Sequence, residues 1–255
     1  DGTISLRPNG VEKYEAPYKL GSTMRAACCV LGPLLARYKK AKVSLPGGCV
    51  IGVRPVDLHL KGMEKLGAKI QIKEGYVFAD AKHLRGEHIY LGGDFGSSVL
   101  ATGNVMMAAT MARGTTVIES AACEPEVVEL ARFLKKMGAK ISGEGSPYQE
   151  IPGVKELHGA EYENIPDRIE AATLIMAAGI TRGEVMVRGA RAEHLTAVLE
   201  KLKDVGMNFK ATKDGILVKK TQKKFKPFDI VTLPYPGFPT DAQAQFMTLM
   251  SITQG

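Results

Sequence analysis

The sequence predicts an α/β fold built from repeated α+β units, and three observations predict it. A short motif recurs: Leu66-Gly67-Ala68-Lys69-Ile70 returns as Met137-Gly138-Ala139-Lys140-Ile141 and, more loosely, as Val205-Gly206-Met207-Asn208-Phe209. Each copy closes an amphipathic run, over 56–66, 126–137 and 192–205, and glycine just past the last periodic residue is a helix C-cap signal. Each amphipathic run follows a strand-like segment (42–45, 115–119, 184–188), and each strand follows an apolar helical run (24–36, 101–112, 168–180).

The apolar runs are hydrophobic on most sides, so they are expected to be buried. The runs after the amphipathic helices, 69–72 with 76–79 in the first copy, read as hairpins. The unit is therefore buried helix, strand, amphipathic helix, hairpin. Its period of about 70 residues is too long for the common solenoids. Three such units can pack their apolar helices inside a ring of sheets. Residues 240–253 read as a further buried helix, and 1–6 match the hairpin strand at 214–218. The expectation is a chain truncated at both ends, from a protein with at least five repeats.

Hydrophobic residues make up 45% and charged residues 24% of the 255, which is ordinary for a globular protein. No apolar run reaches membrane-spanning length. The net charge is +7; its densest basic stretch (Lys219, Lys220, Lys223, Lys224, Lys226) reads as a solvated turn. No basic-aromatic motif accompanies it, so a small polyanion is expected as partner rather than nucleic acid. The cysteines (28, 29, 49, 123) lack metal or disulfide spacing, which fits a reducing cytoplasm. The histidines at 83, 88, 158 and 194 are scattered without ligand spacing, so no metal is expected. His59, on an amphipathic helix, reads as half-buried and non-catalytic.

The loop Leu45-Pro46-Gly47-Gly48-Cys49, with Arg54-Pro55-Val56-Asp57 close behind, places a thiol in a glycine-rich turn with a cation five residues on. A nearby guanidinium favours the reactive thiolate. Gly47 and Gly48 permit unusual backbone angles and close approach of a ligand. A tight turn around a buried Cys reads equally well from these residues.

The loop, the repeats, and the segments Thr23-Met24-Arg25-Ala26, Gly114 to Glu119, Glu124-Pro125-Glu126, Pro166-Asp167-Arg168-Ile169-Glu170 and Phe238-Pro239-Thr240-Asp241 together resemble the enolpyruvyl transferases. The resemblance implies an inside-out α/β barrel of two domains with three repeats each. Residues 1–165 would be most of the first domain, without its first repeat, and 166–255 the N-terminal part of the second. The reaction implied transfers an enolpyruvyl group from phosphoenolpyruvate to the 3-hydroxyl of UDP-N-acetylglucosamine, in peptidoglycan synthesis. It needs no cofactor, nucleic acid or membrane, and a monomer is expected. A catalytically impaired nucleotide-sugar-binding paralogue, or a different enolpyruvyl transferase, is the alternative.

By the same resemblance Cys49 is the acid that protonates the methylene and the target of fosfomycin. Asp241 is the base near the sugar hydroxyl, although Thr240-Asp241 also reads as a helix N-cap. Arg25 and Arg54 are cleft arginines. Arg54, Pro55, Val56, Asp57 and Leu58 hold the nucleotide sugar, and Asp57 also reads as a cap for a helix over 58–66. Ser98 and Val99 form a second diphosphate loop ahead of a buried helix, whose first amides favour anions. The chain departs from the family pattern at Leu100 (usually Gly), Cys123 (commonly Arg) and Tyr235 (frequently His). The 255-residue chain alone is expected to be inactive.

Overall fold

The computed structural model describes residues 2–8, 13–47, 56–94, 96–221 and 224–253. The chain divides into two compact units, residues 1–121 with 130–160 and residues 122–129 with 161–255.

The first unit runs β1 (Glu15–Ala16), α1 (Tyr18–Gly21), a 3-10 turn (Arg25–Val30), α2 (Leu31–Tyr38), β2 (Lys40–Ser44), α3 (Asp57–Lys65), β3 (Lys69–Lys73) and β4 (Tyr76–Asp80). It continues with β5 (His88–Tyr90), β6 (Gly92–Gly93), β7 (Gly96–Ser97), α4 (Val99–Ala109), β8 (Thr115–Glu119), α5 (Pro125–Lys136, whose first residues fall in the second unit) and β9 (Tyr148–Pro152). The second unit runs α6 (Arg168–Ile180), β10 (Val185–Arg188), a 3-10 turn (Ala192–His194), α7 (Thr196–Val205), β11 (Asn208–Thr212), β12 (Gly215–Lys219), a 3-10 turn (Thr240–Ala242) and α8 (Gln243–Met250).

The repeat seen in the sequence is a repeat of topology. In the sheets ordered β1-β2-β4-β3 and β10-β12-β11, the strand ahead of the amphipathic helix pairs antiparallel with the second hairpin strand, Val43 against Val77 and Val187 against Ile216. In the third sheet, β5-β8-β9, Ile118 faces Gln149 in the same role. There the first hairpin strand shrinks to a single bridge, Ser142 to Glu150, because Gly143 (φ +78°) turns the chain out of extended geometry. Two repeats also begin one strand earlier than the hydrophobic pattern indicated: β1 lies parallel to β2, and β5 parallel to β8.

The three motif glycines end their helices identically. Gly67, Gly138 and Gly206 have φ of +94°, +103° and +103°. Each glycine N–H donates to the carbonyl three residues back (Glu64, Lys135, Lys203), and the next N–H donates to the carbonyl five back (Met63, Leu134, Leu202). This is the Schellman pattern, which satisfies the orphan carbonyls of a helix end. The residues just past the glycines, Ala68, Ala139 and Met207, are buried, so each cap also feeds the core.

The core of the first unit centres on α4. Every residue from Ala101 to Ala109 except Met107 is buried, and α2 and α3 pack against it. The core of the second unit gathers Ile175 and Met176 of α6, Leu199 and Leu202 of α7, Ile216 and Val218 of β12, and Phe246 of α8.

Four expectations are corrected. The run 24–36 is not one helix: Pro33 has no N–H and its ring excludes the carbonyl four residues back, so α2 starts at Leu31 and a 3-10 turn precedes it. Residues 240–253 are a 3-10 turn followed by the shorter α8, buried on one face only; Met247 is 61% exposed. Residues 3–6 form no strand, and Ile4 and Leu6 are over 80% exposed. Asp57 is the first residue of α3, after the N-cap Val56, and no side chain caps that helix; Asp57 instead places a carboxylate in the first turn, which the helix dipole favours.

Candidate functional site

Cys49, Arg54 and Pro55 lie outside the described residues; the other expected site residues can be placed. In the first unit, two expected substrate segments come together. Leu58, in the first turn of α3, reaches so near Gly93 that a Cβ there would sit 3.3 Å from Leu58 Cδ1. Gly93 pairs with Gly96 in the β6–β7 hairpin, which leads directly into Ser98. Ser98 is the N-cap of α4, its Oγ accepting from the Ala101 N–H at 3.3 Å. Val99 and Leu100 follow as the first two helical residues, so their amides have no intrahelical acceptor. Val56, Asp57, Leu58, Ser98 and Val99 thus lie around two helix starts joined by the Leu58–Gly93 contact.

Arg25 is exposed at the start of the 3-10 turn. Its segment abuts the start of the Cys loop: a Cβ on Gly47 would fall 1.9 Å from the Ser22 carbonyl oxygen. This backbone contact by itself requires glycine at 47, without a left-handed φ.

Beneath these segments lies a buried polar cluster that the sequence reading missed. His59 is buried, not half-buried. Its Nδ1 lies 3.0 Å from Asn104 Nδ2, and its Nε2 3.7 Å from Cys28 Sγ. The Cys28 thiol is lowered to about 5, first by its hydrogen bond with the Cys29 thiol and then by His59, against the opposing effect of burial. Cys29 is pushed strongly upward by the same bond and by burial. The available signal was Asn104 itself, a full amide inside the apolar run 99–109.

In the second unit, Asp241 is exposed in the 3-10 turn ahead of α8 and caps neither that turn nor the helix. The capping role read from Thr240-Asp241 is not realised, and the carboxylate is uncommitted to helix structure. Asp167 does cap: its Oδ1 accepts from Ile169 N–H at 2.8 Å and Glu170 N–H at 3.0 Å. Arg168 Nε donates to Glu126 Oε1 at 2.8 Å, and its guanidinium lies 5.6 Å from the centroid of Tyr235. Tyr235, in the position where the resemblance expects His, therefore serves as a stacking surface for Arg168. Burial raises the Cys123 thiol, with the Glu124 charge adding to it. Among the described residues no group of three or more His, Cys, Asp or Glu side chains is placed to hold a metal ion, and no helix is long and apolar enough to cross a membrane.

The fold and these segments define an enolpyruvyl-transferase-like α/β protein. The chain belongs to the EPSP synthase (3-phosphoshikimate 1-carboxyvinyltransferase) family, whose profile matches residues 3–255. It is similar to a UDP-N-acetylglucosamine 1-carboxyvinyltransferase of Methylacidiphilum infernorum, with 54% identity over 254 residues, all of this chain and 60% of that protein. It is equally similar, at 54% over 255 residues, to UDP-N-acetylglucosamine 1-carboxyvinyltransferase 1 of Caldanaerobacter subterraneus, again over 100% of this chain and 60% of the relative. The chain thus spans about 60% of the length of these relatives. The crystal structure of the enolpyruvyl transferase NikO from Streptomyces tendae superposes with a TM-score of 0.80 at 20% identity, covering 95% of this chain and 57% of that one. That likeness shows the fold.

Proposed function

We propose that this chain forms part of a UDP-N-acetylglucosamine enolpyruvyl transferase. The carrying observation is 54% identity over the whole chain to relatives of that name. In this reading residues 1–165 belong to the first domain and 166–255 to the second. The sugar 3-hydroxyl adds to C2 of phosphoenolpyruvate while Asp241 takes its proton and Cys49 protonates C3. Phosphate then leaves C2 and a proton leaves C3, restoring the double bond in the product. Arg25 and Arg54 neutralise phosphate and carboxylate charge, since a guanidinium pairs bidentately with such oxygens. Val56, Asp57, Leu58, Ser98 and Val99 hold the diphosphate-linked sugar, and the two adjoining helix starts supply amides that suit an anion.

The protein acts in the cytoplasm as a monomer, without cofactor, nucleic acid or membrane. It supports cell-wall synthesis, cell shape and division, and fosfomycin alkylates Cys49. Phosphate release by the full-length protein from phosphoenolpyruvate and UDP-N-acetylglucosamine tests the reaction. Peptide mapping after fosfomycin tests the thiol: a single adduct on Cys49, formed faster with the sugar nucleotide, is expected. Sugar binding without turnover or adduct would refute the proposal.

A further inference from the structure

Asn104 is fully buried midway along α4. Its Oδ1 accepts from the Gly32 N–H of α2 at 2.7 Å, which fixes the orientation of the amide. Nδ2 must then be the donor. It donates one hydrogen to the Cys28 carbonyl at 2.9 Å and faces His59 Nδ1 at 3.0 Å with the other. An amide nitrogen has two hydrogens, and both are used. His59 Nδ1 is therefore the acceptor, and a neutral ring carries its proton on Nε2, toward Cys28 Sγ. One amide thus engages the 3-10 turn, α2 and α3 from α4.

Two glycines make this junction possible. A Cβ on Gly32 would lie 2.3 Å from the Asn104 carbonyl oxygen, and one on Gly62 would lie 2.2 Å from Val105 Cγ2. With no side chains there, α2 and α3 come close enough to α4 for direct hydrogen bonding. His59 follows Asp57 and Leu58 in α3, while α4 begins at Val99 on its Ser98 cap.

We propose that Asn104 and His59 are positioning residues, holding the first turn of α3 (Val56, Asp57, Leu58) in register with the start of α4 (Ser98, Val99) and so setting affinity for the diphosphate-linked sugar without touching it. This rests on the function proposed above. A misplacement of about 1 Å at a distance from the chemistry is enough to cost up to about a hundredfold.

The test is steady-state kinetics of the full-length protein. Asn104→Ala is expected to raise KM for UDP-N-acetylglucosamine about tenfold, with kcat and KM for phosphoenolpyruvate within about threefold of wild type. His59→Gln keeps an acceptor for Asn104 and is expected to stay near wild type, whereas His59→Leu is expected to match Asn104→Ala. Asn104→Asp guards against failure of the alanine variant to fold. It keeps the shape and the Gly32 bond but replaces the donor to the Cys28 carbonyl and to His59 with an acceptor, and is expected to raise the sugar KM as the alanine variant does. Equal loss in both substrates, indistinguishable Gln and Leu variants, or an Asp variant identical to wild type would overturn the proposal. If wild type binds the sugar nucleotide without turning over, the proposed reaction fails and the same comparison is made by calorimetry of UDP-N-acetylglucosamine. Absence of both turnover and binding would sink both.

Discussion

Gly62 of α3 and Val105 of α4 meet so closely that a single added methyl on Gly62 would sit 2.2 Å from Val105 Cγ2. Two effects oppose each other in Gly62→Ala. Helix propensity favours alanine by about 1 kcal/mol, while overpacking a filled core costs about 1–3 kcal/mol. The obstacle is a β-branched side chain, stiff at χ1, on a buried helix, so overpacking is expected to win. Urea unfolding of Gly62→Ala is expected to show a net loss of about 1–2 kcal/mol. A gain would mean that α3 and α4 separate freely.

Gly206 supplies the complementary case. A Cβ there would meet nothing within 4 Å, but φ is +103°. Gly206→Ala is therefore expected to cost about 1 kcal/mol from backbone strain alone. Gly206→Asn is expected to cost less, since asparagine tolerates left-handed geometry better. Equal losses in both variants would point to packing rather than conformation.

His194 gives the acid side of the stability curve a specific contributor. Its Nδ1 is buried without a hydrogen-bond partner, and desolvation lowers the ring below its ordinary 6.5, aided by Arg191 and Arg168 and opposed by Glu193 and Glu126. The unfolded chain thus binds a proton that the folded chain resists. The stability contribution is full above about pH 6.5 and is lost as pH falls through the lowered folded value. His194→Gln is expected to lose less stability than wild type between about pH 7.5 and 5.5. Parallel curves for the two proteins would refute this.

Asp241 separates structure from chemistry. It caps neither the 3-10 turn nor α8, so Asp241→Ala is expected to change unfolding free energy by no more than about 0.5 kcal/mol. Its proposed role as base predicts a fall in kcat of about a hundredfold or more in the full-length enzyme. A destabilised variant with normal turnover would return Asp241 to a structural role.

The parts legible in sequence were those governed by local rules. Gly67, Gly138 and Gly206 announced their caps because left-handed geometry favours one residue type. The apolar run 101–112 announced the buried α4 because it carries no charge and is apolar on most sides. Parts set by distant partners were not legible. β1 and β5 are too short to show alternation, and they exist because β2 and β8 lie beside them. The Asn104–His59 contact spans 45 residues; the amide in an apolar run marks Asn104, but nothing local names its partner. Pro33 did carry the break in the first helix, but its effect depended on where the turn began. Leu58 and Ser98 were named as separate segments; only the Leu58–Gly93 contact brings them together.

The short parallel strands shift the seams of this protein. Because β5 pairs with β8, it belongs to the repeat that follows it, not to the hairpin that precedes it. The joint between the first and second repeats therefore falls in the 81–87 stretch. Opening the chain between Lys82 and His83 leaves the β1-β2-β4-β3 sheet in one piece and the β5-β8-β9 sheet in the other. A cut between β5 and α4 would strip β8 of its parallel neighbour. Residues 83–153 are accordingly a block whose ends fall between sheets, and what ties it to the preceding repeat is the packing of α4 on α2 and α3 rather than any shared strand ladder.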